Sequence, residues 1–420
     1  FRFGLFGLEM YIDEQLHYSI KYENFDFDEG ELVYTERDYA LIRTGEGKFY
    51  RLFKDDSRKK LSFHEQDLKQ ITQLEIGTHN LKIIAYDYNQ NEIVIRGEIL
   101  VENKQKQSVL ADISRGELIG KNKCNDCEIH QFEHGTVLSI PNNYLSEIPE
   151  ITFISDSKLK NQIQLELFKK SNETQFLFNP TELSLINGIQ IKSAKQNINF
   201  NLKGMPSIPG KPFELNIGSE IKINGSGDTF YDTAFVWIKK NESITELSKA
   251  EFVSDIWEIG PDFIPYRNQI EIEMKPHDLY ENTNNQISIY YLNKKNMAWY
   301  FMPTTWLKDK KSFKTSALSG EIFALIKETN SPKINGVSPK FGKKLYSKFK
   351  NELSFTIKDD LSGIDGENDV KIMINDNIVI HEYNSYRRKI IYDLNENLVL
   401  GENTVKISVN DRAGNTTILE

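Results

Sequence analysis

The chain has 420 residues, with 52 Lys and Arg against 61 Asp and Glu and a formal net charge of -9. That balance excludes the basic footprint a general nucleic-acid binder needs for phosphates. Hydrophobic residues at 39% and aromatics at 11% exclude a disordered chain, and 12 Pro with 2 Cys exclude a Pro-rich stalk or a disulfide scaffold.

The chain opens on Phe1-Arg2-Phe3-Gly4, without a charged-then-apolar leader, and is expected to be processed or a piece of something longer. Met10 to Ile12, the pair Asp13-Glu14 and the return through Leu16 predict a hairpin. His64 to Ile71 is one of two short helical candidates. Gly77, then Leu81, Ile83 and Ala85, then Asp87 and Asn91 predict a turn, a strand and an Asp-capped turn. The polar stretch Val101 to Ser108 predicts a linker.

Next comes Cys124-Asn125-Asp126-Cys127-Glu128-Ile129-His130-Gln131-Phe132-Glu133-His134. Two thiols and two imidazoles are a zinc donor set, but structural zinc draws its ligands from two separated turns. Free thiols or a local Cys124–Cys127 bridge in a polar surface loop is the preferred reading, and replacing both Cys with Ser is expected to leave the fold intact. His130 to His134 fits the inverted His-x-x-Glu-His pattern, which needs a helix; Gly135 and a strand over Thr136 to Ile140 follow at once, so the match is read as chance. No His-Glu-x-x-His, His-x-His, Gly-x-Ser-x-Gly or phosphate-binding loop occurs. No residue is assigned as catalytic, cofactor-binding or metal-binding.

Strict alternation then predicts strands through Ile163, Leu165 and Leu167, through Ile198, Phe200 and Leu202, and through Phe213, Leu215 and Ile217. Phe176 to Phe178 is a strand ended by Asn179-Pro180. Ser226 between Gly225 and Gly227 reads as a flexible turn. Ala234 to Ile238 is apolar without alternation, so Trp237 is expected in a core. Ser243 to Phe252 is the second helical candidate. Trp237, Trp257, Trp299 and Trp306 all fall in this region, where core packing is preferred over a sugar-stacking platform. Thr329 to Pro332 and Pro339 lead into the last module. Leu353, Phe355 and Ile357 form a strand. The acidic loop 359–369 offers oxygen ligands for calcium, with capping of its own backbone preferred. Val370, Ile372 and Ile374 turn at Asn375-Asp376-Asn377 into Ile378 and Ile380.

Gly401, Val405, Ile407, Val409, Asp411 and Asn415 repeat the register of Gly77, Leu81, Ile83, Ala85, Asp87 and Asn91. The fold class is therefore all-β, a tandem of β-sandwich domains whose outer modules are immunoglobulin-like. The boundaries are 1–103 (truncated at its start), 104–190, 191–332 (the β-rich domain carrying all four Trp) and 333–420.

An ordered series of short motifs spans the chain. It comprises Phe3-Gly4-Leu5-Phe6-Gly7-Leu8-Glu9-Met10, Phe25-Asp26-Phe27-Asp28, Tyr50-Arg51-Leu52-Phe53, Gly320 to Ile326 and Ser331-Pro332-Lys333-Ile334. Asp360-Leu361-Ser362-Gly363-Ile364, Tyr383, Leu400-Gly401-Glu402-Asn403 and Asp411-Arg412-Ala413-Gly414-Asn415 complete it. The series resembles the segment that follows the catalytic domain of large bacterial M23 (LytM-like) metallopeptidases. That family's zinc is held by His-x-x-x-Asp and His-x-His and activates water for cell-wall peptide cleavage; neither element is usable here. The resemblance implies a non-catalytic accessory region, outside the cytoplasm, that positions or docks an upstream zinc peptidase. It implies no cofactor in this chain and zinc in the absent catalytic domain. The partners it implies are the upstream domain and cell-wall glycan or other envelope components; the acidic balance and the lack of an apolar run of roughly 18 residues imply no nucleic acid and no membrane span. The alternative is an adhesin or glycan-binding module using the third domain's aromatics.

Overall fold

The structure is a computed structural model that describes residues 5–23, 36–53, 74–102, 107–118, 122–132, 135–156, 161–247, 250–277, 286–346, 351–394 and 397–420. It is almost entirely β, in several separate, largely antiparallel sheets. The α-helix Tyr39–Thr44, capped by the Asp38 carboxylate and closed by Gly45 at φ 84°, was not read from the sequence. The candidate helix at 64–71 lies outside the described residues. The described part of the one at 243–252 is not helical: the Asn241 side chain caps Ser243 and Ile244 in a turn, and Glu251–Phe252 is a strand paired with Ile326 and Lys327. Its helical spacing of apolar residues lays Ile244, Leu247, Ala250 and Phe252 against a core instead.

The repeat is structural down to its register. In the first module the strands run Gln15–Lys21, Gly7–Ile12, Gly77–Tyr86, Glu92–Val101 across one sheet; in the last they run Asn377–Val379, Val370–Ile374, Val405–Asn410, Thr416–Leu419 in the same order. Ile12 faces Leu81 as Ile374 faces Val405. Both hairpins turn on two residues in the left-handed region, Asp13-Glu14 and Asn375-Asp376, as two-residue hairpin loops require. The first turn residue of each then accepts a backbone N–H from the equivalent strand, Asn80 to Asp13 at 2.8 Å and Thr404 to Asn375 at 3.0 Å. The last module adds a second four-stranded sheet, built from Lys333–Ser338, Glu352–Lys358, Lys389–Asp393 and Glu382–Asn384, and the two sheets enclose one core.

The middle of the chain is joined more tightly than the sequence suggests. Fifteen of the twenty strands described between residues 108 and 327 form one sheet. Residue 190 falls inside the strand Ile186–Lys192, which pairs with Glu150–Ser155 and, through Ile186 and Gly204, with Lys203–Ser207. The central strand Ala234–Lys240 serves two cores. Phe235 and Trp237 enter the core built on residues 111–202, while Ala234, Val236 and Ile238 enter the core of the following module. Burial on both faces explains the missing alternation. A five-stranded sheet, including Phe213–Ile217 and Ile270–Met274, closes the second of these cores. Gly260 lies beneath Trp237, where a Cβ would come within 2.1 Å of the indole.

Trp237 and Trp257 are buried, Trp299 sits in a third cluster against Phe252, and Trp306 is half-buried beside Phe313.

Cys124 and Cys127 are bonded to each other, the local bridge among the alternatives. The polar-loop placement is overturned: Cys127 is fully buried and Cys124 nearly so, both within the core that also holds Phe235 and Trp237. Cys124 N–H is held by the Asn199 carbonyl at 2.8 Å, which pins the loop to the sheet. The double Ser variant is therefore expected to lose stability rather than tolerate the change. Opening so small a loop costs about 2 kcal/mol on chain-entropy grounds. Urea unfolding of the variant against the oxidised parent measures it; equal midpoints would restore the surface-loop reading.

Candidate functional site

The sequence-selected cluster around His130 does not assemble as a metal centre in the described residues. Its two sulfurs are bonded to each other, and His134 lies outside the described residues. His130, on the strand Glu128–Phe132, has both ring nitrogens engaged: Nδ1 with Asp262 Oδ2 at 2.9 Å and Nε2 with Glu128 Oε2 at 3.1 Å. Its ring lies 4.9 Å from that of Phe263. Burial alone would lower the imidazole pKa, but the hydrogen bonds to Asp262 and then Glu128 outweigh it and lift the group to about 9. A ring so committed is a charged tie between two modules, not a base awaiting substrate.

The same region is laced with ion pairs. Buried Glu258 takes Lys294 at 2.8 Å and Lys239 at 3.1 Å. Burial raises its pKa, and the two ammonium groups more than reverse this, holding it at about 2. Arg43, on the helix of the first module, pairs with Glu321 and reaches the Gly320 carbonyl. Ser226 is spent locally, donating to Asp228 Oδ1 at 2.6 Å in its turn.

The acidic loop divides its labour. Asp360 is paired with Lys333 and Lys358, Asp365 with Arg412, and Asp369 accepts the Asp365 N–H. These are the capping and solvent roles expected of the loop. Asp359 differs. Its Oδ2 accepts Leu361 and Gly363 N–H at 3.0 and 2.7 Å, and its carboxylate faces two others that the loop does not contain. Glu328 follows the strand Ile322–Lys327 of the third module, and Asp411 follows Val405–Asn410 of the fourth. Ligand oxygens of Glu328, Asp359 and Asp411 all lie within 4.8 Å of one another.

Glu328 is only 1% exposed. Its Oε2 accepts from Tyr290 Oη at 3.2 Å and Ser362 N–H at 3.1 Å, and its carbonyl accepts from Asn415 Nδ2 at 3.1 Å. Among the described residues no Lys or Arg pairs with any of the three carboxylates. Burial lifts the Glu328 pKa to about 7; Ser362 opposes the rise, and the Asp359 and Asp411 charges add to it. The repeat supplies an internal comparison. Asp87 and Asp411 make the same turn, each accepting the backbone and side-chain N–H of an Asn four residues on. Yet those hydrogen bonds lower the Asp87 pKa, whereas burial, with Asp359 adding to it, raises that of Asp411. The local motif is shared, and the crowding of negative charge belongs to the joint between modules.

The sequence reading missed Glu328 and gave Asp411 only a capping role. The available signal was a lone carboxylate ending an apolar strand just before the Thr329 to Pro332 connection. Compared with models of known protein families the chain matches none, and no curated protein matches it.

Proposed function

We propose that this chain is a non-catalytic accessory region that spaces and positions an M23-like cell-wall zinc peptidase lying upstream, outside the cytoplasm. The observation that carries the reading is the architecture: related outer modules flank a middle whose two parts share one sheet, with partly buried ion pairs at the seams. Such a body suits holding a partner at a distance. The ordered motifs that resemble the peptidase tails supply the partner's identity. The Cys124–Cys127 bridge supports an oxidising compartment. No helix of the described residues is long and apolar enough to cross a membrane.

The purified chain is expected to release no peptides from peptidoglycan, with or without added zinc. Zinc-dependent turnover that survives purification and disappears in the His130→Ala, His134→Ala double variant would sink the proposal.

One observation favours the adhesin alternative. Tyr300 is 40% exposed and stacks on Tyr291 at 5.4 Å. Tyr300→Ala is expected to stay folded and to leave sedimentation with purified cell-wall glycan unchanged. A stable variant that loses glycan binding would favour the adhesin.

A further inference from the structure

The joint before the last module collects three carboxylates with no counter-charge among the described residues. Glu328 comes from the end of the third module, Asp359 and Asp411 from two strand ends of the fourth, with the Thr329 to Pro332 connection between them. Ordinary acidic clusters face water. Here Glu328 and Asp411 are buried, and Glu328 Oε1 and Asp359 Oδ1 receive no hydrogen bond among the described residues.

A second observation points the same way. Ser362 is 3% exposed, and its Oγ is buried without a hydrogen-bond partner in the described residues. Its backbone N–H is held by Glu328 Oε2 at 3.1 Å, which sets the side chain beside that carboxylate, near enough to lower its pKa but outside hydrogen-bonding geometry. A buried hydroxyl without a partner is costly, and a cation would satisfy it together with the free carboxylate oxygens.

We propose that this joint is a calcium site, with Glu328, Asp359 and Asp411 as anionic ligands, the Ser362 hydroxyl as a neutral one, and water completing the shell. The donors are all oxygen, which selects a hard cation over zinc or copper. Calcium holds oxygens at about 2.3–2.6 Å, so two ligands of one ion can be at most about 4.6–5.2 Å apart. The observed spread, within 4.8 Å, meets that condition. Magnesium demands near-ideal octahedral geometry at about 2.0–2.1 Å and sheds water reluctantly. A ligand set drawn from three fixed strand ends suits the larger, more adaptable ion. Because the ligands straddle two modules, the bound ion clamps the last module onto the third. This inference stands whether or not a peptidase lies upstream.

The test uses the whole chain, stripped with EDTA and titrated with calcium chloride to about 10 mM, ten times the weakest extracellular affinity class. Titration calorimetry is expected to give one ion per chain. Scanning calorimetry is expected to raise the unfolding of the last module by roughly 5–10 °C. Asp359→Asn, at the least buried ligand, and Ser362→Ala are expected to keep the parent's circular dichroism in EDTA and to bind calcium roughly tenfold more weakly or worse. No heat and no shift in the parent would overturn the proposal. So would binding unchanged in both folded variants, which places the ion elsewhere. Magnesium matching calcium at equal concentration would overturn the assignment of the ion.

Discussion

Replacing Trp237 with Ala is expected to destabilise the middle of the chain by about 3–5 kcal/mol, the range for removing a large buried aromatic. The side chain is 2% exposed, and its Nε1 has no hydrogen-bond partner, so the loss is one of packing alone. Trp237→Phe should therefore recover much of it. The cavity opens in the core of residues 111–202, while the backbone at 237 is held between Val236 and Ile238, which line the next core. Calorimetry should accordingly show one transition, spanning residues 108–327, moving to lower temperature. A variant that loses under about 1 kcal/mol, or in which half of that region melts alone, would contradict the two-core role of this strand.

Alkaline pH is expected to weaken the contact between the second and third modules. The imidazole of an unfolded chain titrates near 6.5, and in the fold His130 is lifted to about 9. A group whose folded pKa is raised contributes its full stabilisation below the unfolded value and loses it as pH climbs through the folded one. The window is therefore pH 6.5 to 9. The shift corresponds to on the order of 2–3 kcal/mol, its lower end reflecting solvent screening on the Glu128 side. The urea midpoint should fall between about pH 7.5 and 9.5, above the Glu328 transition at about 7, in the parent, and fall much less across that interval in His130→Gln. A nuclear magnetic resonance titration placing His130 at or below 6.5 would remove the basis for this expectation.

Strands half-exposed to solvent were legible from sequence. Ile163, Leu165 and Leu167, or Leu353, Phe355 and Ile357, show their faces because every second residue meets water, and each set lies in a strand with those residues buried. The repeat was legible because its turns are local: Asp13-Glu14 and Asn375-Asp376, Asp87 with Asn91 and Asp411 with Asn415 each close within a few residues. What escaped was decided by distant partners. The polar residues between Cys124 and Cys127 suggest a surface loop, yet the bridge is buried in a core completed by a strand far along the chain. The fusion of the middle modules depends on a single Ile186–Gly204 pairing next to a strand buried on both faces. Glu328 carries no motif at all; Asp359 and Asp411, brought to it by the fold, give it a role.

The shared strand Ala234–Lys240 also sets how the chain would bear a load. Tension applied to the chain meets the two middle modules as one link rather than two, because Ala234–Lys240 lines both of their cores and pairs with Lys203–Ser207 on one side and Trp257–Gly260 on the other. The outer modules then become the yielding elements. Under stretch they are expected to open first, while the middle keeps its span.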